Sequence, residues 1–288
     1  MAGALAPPPA QAIALDVRRA LDEDLGAGDA TAQLLPDGTA QAYVLAKESG
    51  VIAGRPWFDA CFLALDPGMA IHWRIAEGER VPAGTVLVTL GGRARALVSA
   101  ERTALNFLQT LSATATRTAD YVAQVAGTGT RILDTRKTLP GLRLAQKYAV
   151  RAGGGVNHRM GLYDAVMLKE NHIHAAGSIA AAAAAARALH PELPLIIEVE
   201  SLDELDQALA TDCQRILVDE FTPEDLAVAV RRAAGRKPLE VSGGVTLERL
   251  RDIAATGVDF VSVGALTKHV QALDLSLRLG VPAAFSRG

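Results

Sequence analysis

Residues 195–200 read Leu-Ile-Ile-Glu-Val-Glu, and residues 215–220 read Arg-Ile-Leu-Val-Asp-Glu. Each stretch is a short apolar run that ends in acidic residues, and a helical stretch lies between the two. Short apolar runs that alternate with helices are typical of a parallel sheet buried on both faces. The two stretches therefore predict neighbouring strands of an α/β fold.

Four further apolar runs of the same kind lie outward from this pair, at residues 131–133, 165–168, 239–241 and 260–263. Six such units fit between residues 131 and 270, whereas a complete eight-stranded barrel needs about 250 residues. The sequence therefore predicts an incomplete α/β barrel with about six parallel strands. The alanine run at residues 180–186 has high helix propensity and is predicted to form an outer helix.

The chain before these runs has a different pattern. An amphipathic helix is predicted over residues 11–25, and strands separated by Gly/Pro turns are predicted at 41–47, 70–75 and 86–90. Ser99 is predicted to cap a long helix that follows the last of these strands.

Composition limits the class of protein. The chain has 288 residues, half of them hydrophobic, with a net charge of −3 and only two cysteines, which are not in metal-ligand spacing. These features favour a soluble protein of a reducing compartment and argue against a disulfide scaffold or a nucleic-acid binder. The N-terminus lacks the basic segment of a signal peptide, and no apolar stretch is long enough to span a membrane, so we expect a cytoplasmic protein.

The charge is unevenly distributed. Residues 131–174 contain eight Lys or Arg against three acidic residues, a net charge of +5, so the rest of the chain carries −8. A basic segment in an acidic protein indicates a pocket for a small anion, although a solvated basic surface is an equal alternative on charge alone.

The residues that could take part in binding or catalysis lie at the ends of the six runs. Each run is followed by a charged residue or a glycine turn, and in parallel α/β folds the C-terminal strand ends form the active site. Arg136 and Lys137 leave one strand together and suit a carboxylate or phosphate, with a surface salt bridge to Asp134 as the alternative. Lys169 follows a strand and is expected to be buried beside an anion or carboxylate, and a Schiff-base lysine is the competing interpretation.

Acidic residues and glycine turns complete these ends. Glu198 and Asp219 suit Mg²⁺, with ion pairing to Lys169 or a helix N-terminus as the alternative. The loops Ser242-Gly243-Gly244 and Gly264–Thr267 are expected to bind phosphate, although Gly-Gly is common in ordinary turns. The loop from Gly153 contains His158 and Arg159, which would add donors to an anion pocket, unless the loop is a flexible connector.

Taken together, several segments closely resemble quinolinate phosphoribosyltransferases. The segments that carry the resemblance are Ser99–Asn106, Asp134-Thr-Arg-Lys-Thr-Leu-Pro-Gly141, Lys147–Gly155, Asn157-His-Arg-Met-Gly-Leu162, Leu168-Lys-Glu-Asn-His172, Glu198-Val-Glu200, Val241–Val245 and Ser262–Thr267. The resemblance extends from about Leu21 to Leu277.

The resemblance implies an N-terminal α/β (α+β) sandwich domain at residues 1–112, rejoined by the C-terminal tail 271–288, and an incomplete α/β barrel at 113–270. It implies transfer of a phosphoribosyl group to quinolinate with loss of carbon dioxide. It also implies Mg²⁺ as cofactor and a homodimer in which Arg102 reaches the neighbouring site.

Residue roles follow from the same resemblance. Lys137, Lys169, Glu198 and Asp219 would be catalytic, and the last two would also hold the metal. The carboxylates of quinolinate would be bound by Arg136, His158, Arg159, Lys169 and the partner's Arg102. The phosphoribosyl substrate would be bound by Thr135, Lys137, Glu198, Asp219, Ser242, Gly243, Gly244, Val263, Gly264, Ala265 and either Lys268 or His269.

Two other enzymes and a binding protein compete with this interpretation. A relative of the molybdenum-transport operon type would keep the phosphoribosyl side of the site and change the carboxylate side. The joint presence of Arg102, Arg136, His158 and Arg159 argues against it. A Schiff-base aldolase would use Lys169. A binding protein without catalysis would not need functional residues at all six strand ends.

Overall fold

The computed structural model describes residues 5–282 and forms two compact units. The first consists of the described parts of Met1–Ala119, Thr138–Gly154 and Thr267–Gly288, and the second of Asp120–Lys137 and Gly155–Leu266. Residues 138–154, which the predicted barrel domain 113–270 includes, thus pack with the first unit. The domain boundaries themselves stay a prediction, and residues 1–4 and 283–288 lie outside the described part.

The elements within residues 5–282 are numbered in chain order. The strands are β1 Thr39–Ala46, β2 Gly50–Val51, β3 Ala70–Trp73, β4 Arg80–Val81, β5 Val86–Arg93, β6 Arg131–Leu133, β7 Val166–Leu168, β8 Leu195–Val199, β9 Arg215–Asp219, β10 Leu239–Ser242, β11 Phe260–Ser262 and β12 Leu275–Leu279. The α-helices are α1 Ala10–Leu25, α2 Arg55–Leu65, α3 Ala94–Gln124, α4 Arg143–Ala152, α5 Glu170–Ala176, α6 Ile179–Leu189, α7 Leu202–Leu209, α8 Pro223–Ala233, α9 Leu250–Ala255 and α10 Ala265–Lys268. A 3₁₀ turn covers Ala32–Leu34.

The first unit is built on an antiparallel sheet of strand order β12-β1-β5-β3. Helix α1 buries Ile13, Val17 and Leu21, which recur every four residues and so lie on one face of the helix. These residues belong to one core together with Trp57 and Phe58 of α2. The predicted helix at 11–25 and the three predicted strands are confirmed, and β12 brings residues of the C-terminal tail into the same sheet.

The predicted cap at Ser99 is wrong. Helix α3 begins at Ala94, so Ser99 lies inside its second turn, where its hydroxyl donates to Asp29 at 2.8 Å. The strand β5 runs directly into this helix, because Ala96 and Leu97 in its first turn are buried and continue the apolar helical stripe. A capping residue type therefore serves here as a tertiary hydrogen-bond donor.

The second unit contains the six predicted strands in one parallel sheet of order β6-β11-β10-β9-β8-β7. Helices alternate with these strands along the chain, and the alanine run forms α6 as predicted. Strands β6 and β7 are the two ends of the sheet, so the prediction of an incomplete α/β barrel is confirmed. Within residues 5–282 no helix is both long and apolar enough to cross a lipid bilayer.

Side chains alternate between the two faces of this sheet. Ile196 and Leu217 pack together with Ala165 and Met167 in a small apolar cluster. Glu198 lies two residues after Ile196, and Asp219 lies two residues after Leu217, so each acidic side chain is on the same face as the cluster. This alternation brings the polar strand ends onto one side of the sheet.

Candidate active site

A cavity of about 190 Å³ lies within the second unit at the C-terminal ends of its strands. Its lining residues come from all six strands and the loops that follow them. They are Thr135, Arg136, Lys137, His158, Arg159, Met167, Lys169, Glu198, Leu217, Glu240, Ser242 and Ser262. The structure thus brings eight of the predicted site residues into one cavity, whose four Lys or Arg outnumber its two acidic residues.

Arg136 and Arg159 both line this cavity and are close enough for their charges to interact. Burial lowers the pKa of Arg159, and the positive charge of Arg136 lowers it further, against the opposite influence of Asp164 and Glu198. The guanidinium of Arg159 is held by the carbonyl of Ala165 at 3.2 Å. Two like charges that are partly removed from water favour an anionic ligand between them, and a guanidinium binds a carboxylate in a bidentate manner. We refer to Arg136 and Arg159 as the carboxylate clamp.

Lys169 differs from the sequence-based expectation. The expectation that it is buried is wrong, because its side chain is 48% exposed. It follows β7 and occupies the N-cap of α5, so it lies beyond the buried part of the strand. The expected carboxylate partner is present, since its Nζ lies 2.5 Å from Oε2 of Glu198. His172 accepts a hydrogen bond from the backbone N–H of Lys169, so its ring caps the first turn of α5.

The predicted phosphate loops contain glycines that the geometry requires. Gly243 has a φ of +82°, and a Cβ there would lie 3.0 Å from Oδ1 of Asp219 and 2.8 Å from Cγ of Glu220. Gly264 lies against the side chain of Lys137, because a Cβ there would be 2.9 Å from Cδ of that lysine. Both loops therefore bring bare backbone close to a charged side chain that is predicted to act on the phosphoribosyl substrate.

Glu198 and Asp219 offer carboxylate oxygens at the ends of adjacent strands, and Asp219 pairs in register with Ser242. Residue Glu220 adopts a φ of 55°, which is uncommon for a non-glycine residue and turns the chain directly after Asp219. Within residues 5–282 no cluster of three or more His, Cys, Asp or Glu forms a metal cage. Mg²⁺ binds through one or two carboxylates, water and substrate phosphates, so this small set of hard oxygen donors fits that ion.

The neighbouring acidic residues also favour a bound cation. The pKa of Glu200 is raised, first by loss of some hydration and then by the negative charges of Glu170, Glu204, Asp219 and Glu198. Mutual repulsion among these carboxylates would be relieved by a bound cation.

The loop that carries His158 is fixed by a buried acid. Asp134 is fully buried and accepts from the backbone N–H of His158 at 2.8 Å and from Nδ2 of Asn157 at 2.5 Å. Val156 forms a parallel bridge with Leu133 at the edge of the sheet. The loop is thus attached to β6, and the interpretation of this loop as a flexible connector is not what the structure shows.

Glu240 lines the cavity and was missed by the sequence analysis. It lies on β10 between Leu239 and Val241, is fully buried, and contacts Arg215 at 2.9 Å and His158 at 3.3 Å through the same oxygen, Oε2. A charged residue inside an apolar strand is a signal that could have marked it, because such residues are rarely buried without partners.

The remaining predicted residues lie elsewhere. Val263 is buried just after β11 and donates its backbone N–H to Leu133, and Ala265 begins α10. Arg102 lies on α3, and Lys268 and His269 are exposed at and after the end of α10. Arg102, Lys268 and His269 belong to the first unit. All the predicted residue roles stay predictions.

Comparison with known proteins identifies the family. Models of the N-terminal and C-terminal domains of quinolinate phosphoribosyl transferase match residues 29–112 and 114–278. The chain belongs to the quinolinate phosphoribosyltransferase family. A nicotinate-nucleotide pyrophosphorylase (carboxylating) of Mycobacterium leprae is 47% identical over 274 residues, which are 91% of this chain and 95% of that protein. A probable enzyme of the same name from Synechocystis is 46% identical over 265 residues, covering 90% of each chain.

Solved structures agree with this assignment. The nicotinate-nucleotide pyrophosphorylase of Francisella tularensis superimposes with a TM-score of 0.94 at 44% sequence identity, covering 96% of this chain and 99% of that one. The agreement extends over both units described here. The antiparallel sheet of the first unit and the six-stranded parallel sheet of the second are thus the fold of quinolinate phosphoribosyltransferases.

Proposed function

We propose that this chain transfers the phosphoribosyl group of phosphoribosyl pyrophosphate to the ring nitrogen of quinolinate. The products are nicotinate mononucleotide, pyrophosphate and carbon dioxide, a step of NAD biosynthesis. The observation that carries this proposal is the pair of guanidiniums, Arg136 and Arg159, in the same cavity as Lys137, Lys169 and Glu198. Relatives that match nearly the whole chain bear the corresponding enzyme name.

The residues in and around the cavity suit the two substrates. Quinolinate is a pyridine with two adjacent carboxylates, and the carboxylate clamp together with Lys169 supplies matching positive charge. Lys137 and the loops at Ser242 and Gly264 offer an ammonium group and bare backbone to phosphate. The exposed position of Lys137 and Lys169 lets each ammonium group reach a ligand that enters from solvent.

The chemistry requires charge stabilisation more than covalent assistance. The bond between ribose C1 and pyrophosphate breaks, and the pyridine nitrogen forms a new bond to C1 with its neutral lone pair, so no general base is needed. Negative charge grows on the leaving pyrophosphate, where Lys137 stabilises it, while the carboxylates of Glu198 and Asp219 favour positive charge on the sugar. The ring nitrogen then carries a positive charge, which stabilises the electron pair left on the adjacent ring carbon when its carboxylate leaves as carbon dioxide, and a proton from water completes that carbon.

We further propose that Glu198 and Asp219 hold Mg²⁺. When bound, the ion would neutralise charge on the pyrophosphate group. The roles of the chain itself are to supply the carboxylate oxygens and to keep them oriented through the ion pair between Glu198 and Lys169 and through the tight turn at Glu220.

The assembly and location form part of the same proposal. We infer a homodimer in which Arg102 of one chain completes the quinolinate site of the other, and a cytoplasmic protein that binds neither nucleic acid nor membranes. The net charge of −3 and the local basic segment at 131–174 support a small anionic ligand over a nucleic acid.

A Schiff-base aldolase is the competing function from another class. It needs a desolvated amine at Lys169, whereas that side chain is half-exposed and paired with Glu198. Trapping with borohydride and a carbonyl substrate would distinguish the two, because an enzyme that works without an imine gives no covalent adduct.

The direct test supplies the purified protein with quinolinate, phosphoribosyl pyrophosphate and Mg²⁺, and measures nicotinate mononucleotide by mass spectrometry together with released carbon dioxide. Replacing quinolinate by nicotinate is the matched control, because nicotinate lacks the carboxylate that leaves. Absence of both products with a folded protein would contradict the proposed reaction. Equal turnover of nicotinate would contradict the proposed specificity.

A further inference from the structure

Glu240 is a buried charge that the proposed reaction does not use directly. It is fully buried in the middle of β10, between two apolar neighbours that face the opposite side of the sheet. Within residues 5–282 its Oε1 has no hydrogen-bond partner, while its Oε2 contacts both Arg215 and His158. A buried carboxylate with incomplete hydrogen bonding costs stability. A functional role would explain why such a group lies beside a binding cavity.

Arg215 forms an ion pair with Glu240 and fixes its position. Its Nη1 donates to Oε2 of Glu240 at 2.9 Å, and its guanidinium lies over the ring of Phe260 with 4.3 Å to the ring centroid. Burial alone would raise the pKa of Glu240, but the adjacent His158 ring and the hydrogen bond and charge of Arg215 outweigh burial and lower it. Glu240 is therefore a fixed anion at the floor of the cavity.

His158 connects this anion to the carboxylate clamp. Its Nδ1 accepts the backbone N–H of Arg159 at 2.7 Å, and its Nε2 lies 3.3 Å from Oε2 of Glu240. A backbone N–H can only donate, so Nδ1 must present a lone pair. This contact leaves Nε2, the nitrogen that faces the carboxylate, as the position for the ring proton.

The series of contacts from Glu240 through His158 ends at Arg159, a member of the carboxylate clamp. Arg159 stands beside Arg136, and the two like charges repel each other. Asp134 fixes the backbone N–H of His158, and the His158 ring fixes the next backbone N–H, that of Arg159. The backbone on both sides of His158 is thus tied down, so that Arg159 can approach Arg136.

We propose that Glu240 is a positioning residue: through His158 it holds the main chain of Arg159 in the place where the carboxylate clamp binds the dicarboxylate substrate. His158 acts in this arrangement as a neutral link between Glu240 and Arg159, and not as a charged ligand of the substrate. The inference deepens the proposed function and rests on it for its kinetic consequences. Its prediction about the tautomer of His158 does not depend on activity.

The first measurement is the ¹⁵N NMR spectrum of the histidine rings in the full-length protein at neutral pH. His158, assigned by comparison with H158N, is expected as the neutral Nε2–H tautomer, both without ligand and with quinolinate bound. A doubly protonated ring in the quinolinate complex would overturn the proposal, because it would make His158 a cationic ligand. This measurement tests the tautomer of His158 even if the protein shows no turnover.

The second measurement compares E240A and E240Q in steady-state kinetics. Misplacement of a binding group by about 1 Å can cost up to about a hundredfold, so the KM for quinolinate in E240A should rise about tenfold or more while the KM for phosphoribosyl pyrophosphate changes little. E240Q retains an oxygen that accepts the Nε2 proton of His158 and should recover most of the loss. E192Q, at an exposed acid, is the matched control.

Circular dichroism and thermal melts establish that each variant is folded. If E240A does not fold, E240Q and the NMR measurement still decide the matter, since E240Q should keep the Nε2–H tautomer and a KM for quinolinate within about threefold of wild type. An unchanged KM for quinolinate in folded E240A, or equal increases for both substrates, would overturn the positioning role. Absent turnover of the wild type would instead refute the proposed function.

Discussion

The side chain of Lys137 covers Gly264, so closely that a Cβ on the glycine would lie 2.9 Å from Cδ and 3.7 Å from Nζ of the lysine. The two residues follow β6 and β11, which are adjacent strands of the parallel sheet. The ammonium group predicted to act on the leaving pyrophosphate is thus placed by the absence of a side chain on the neighbouring strand end.

G264A should therefore impair catalysis without unfolding the protein. Lys137 is exposed and flexible, so its end can move away from the new methyl group, and misplacement of a catalytic group by about 1 Å can lower a rate up to a hundredfold. We expect kcat/KM for phosphoribosyl pyrophosphate to fall at least about tenfold. G129A, where a Cβ meets nothing within 4 Å, is the control.

A double-mutant cycle tests whether the effect passes through Lys137. In the background of K137A, G264A should cause little further loss, because the displaced group is already absent. Independent, additive losses would show that Gly264 acts by another route.

R136A and R159A should each abolish most quinolinate turnover while the fold survives. Removing one partner of a buried, charged hydrogen-bonded pair costs about 2–5 kcal/mol, or at least about thirtyfold in kcat/KM. Steady-state kinetics with varied quinolinate measures the loss, and R231A, at an exposed arginine of α8, should behave as wild type. Full activity of both variants would refute the carboxylate clamp.

Activity should depend on Mg²⁺ held by Glu198 and Asp219. Excess chelator is expected to stop turnover, and added Mg²⁺ should restore it. D219N should require a higher Mg²⁺ concentration for half-maximal activity, because an amide oxygen binds the ion more weakly than a carboxylate. The exposed substitution D212N serves for comparison. Undiminished turnover in chelator would remove the metal from the mechanism.

Mixed dimers test the proposed contribution of Arg102 from a partner chain. R102A and R136A should each be inactive alone, yet a mixture that exchanges subunits should regain activity, because each mixed dimer contains one site with both arginines. Random exchange predicts about a quarter of wild-type activity. If Arg102 acts within its own chain, no mixture will regain activity, and light scattering will show independently whether the protein is a dimer.

The pH dependence of stability should change in D59N. Burial raises the pKa of Asp59, against its hydrogen bond from Trp73 and the charge of Arg55. The folded state therefore holds the proton more tightly than the unfolded state, so the stabilisation is complete at low pH and is lost as the pH rises through the folded pKa. The free energy of unfolding of D59N relative to wild type should increase from pH 4 to 7, measured by urea denaturation. D37N, at an exposed position, should show no such trend.

The sequence was informative where local pattern and tertiary structure agree. The strand at Arg131–Leu133 was predicted with the bounds that it has, and Leu195–Val199 lies within the predicted stretch 195–200, because strands of a buried parallel sheet are mostly apolar. The convergence of Arg136, Lys169 and Glu198 was likewise predictable, since parallel strands end at the same edge of a sheet.

The sequence was less informative where a residue depends on distant partners. Ser99 has a capping residue type, but the helix begins five residues earlier and its hydroxyl instead meets Asp29, seventy residues away in sequence. Glu240 was hidden inside an apolar run because its partners, Arg215 and His158, come from other segments. Lys169 was expected to be buried because it follows a buried strand, but the strand ends one residue before it.

The bridge between Val156 and Leu133 has a consequence for solubility as well as for binding. The outer edge of β6 would otherwise offer unpaired backbone groups to a strand of another molecule, the usual starting point of edge-to-edge aggregation. Here Val156 donates to the carbonyl of Ile132 at 2.8 Å and accepts from the N–H of Asp134 at 3.2 Å, which closes that edge with the protein's own chain. The segment that presents His158 and Arg159 therefore also protects the edge of the sheet from pairing with another molecule. Variants that loosen this segment should precipitate more readily and bind the substrate less tightly.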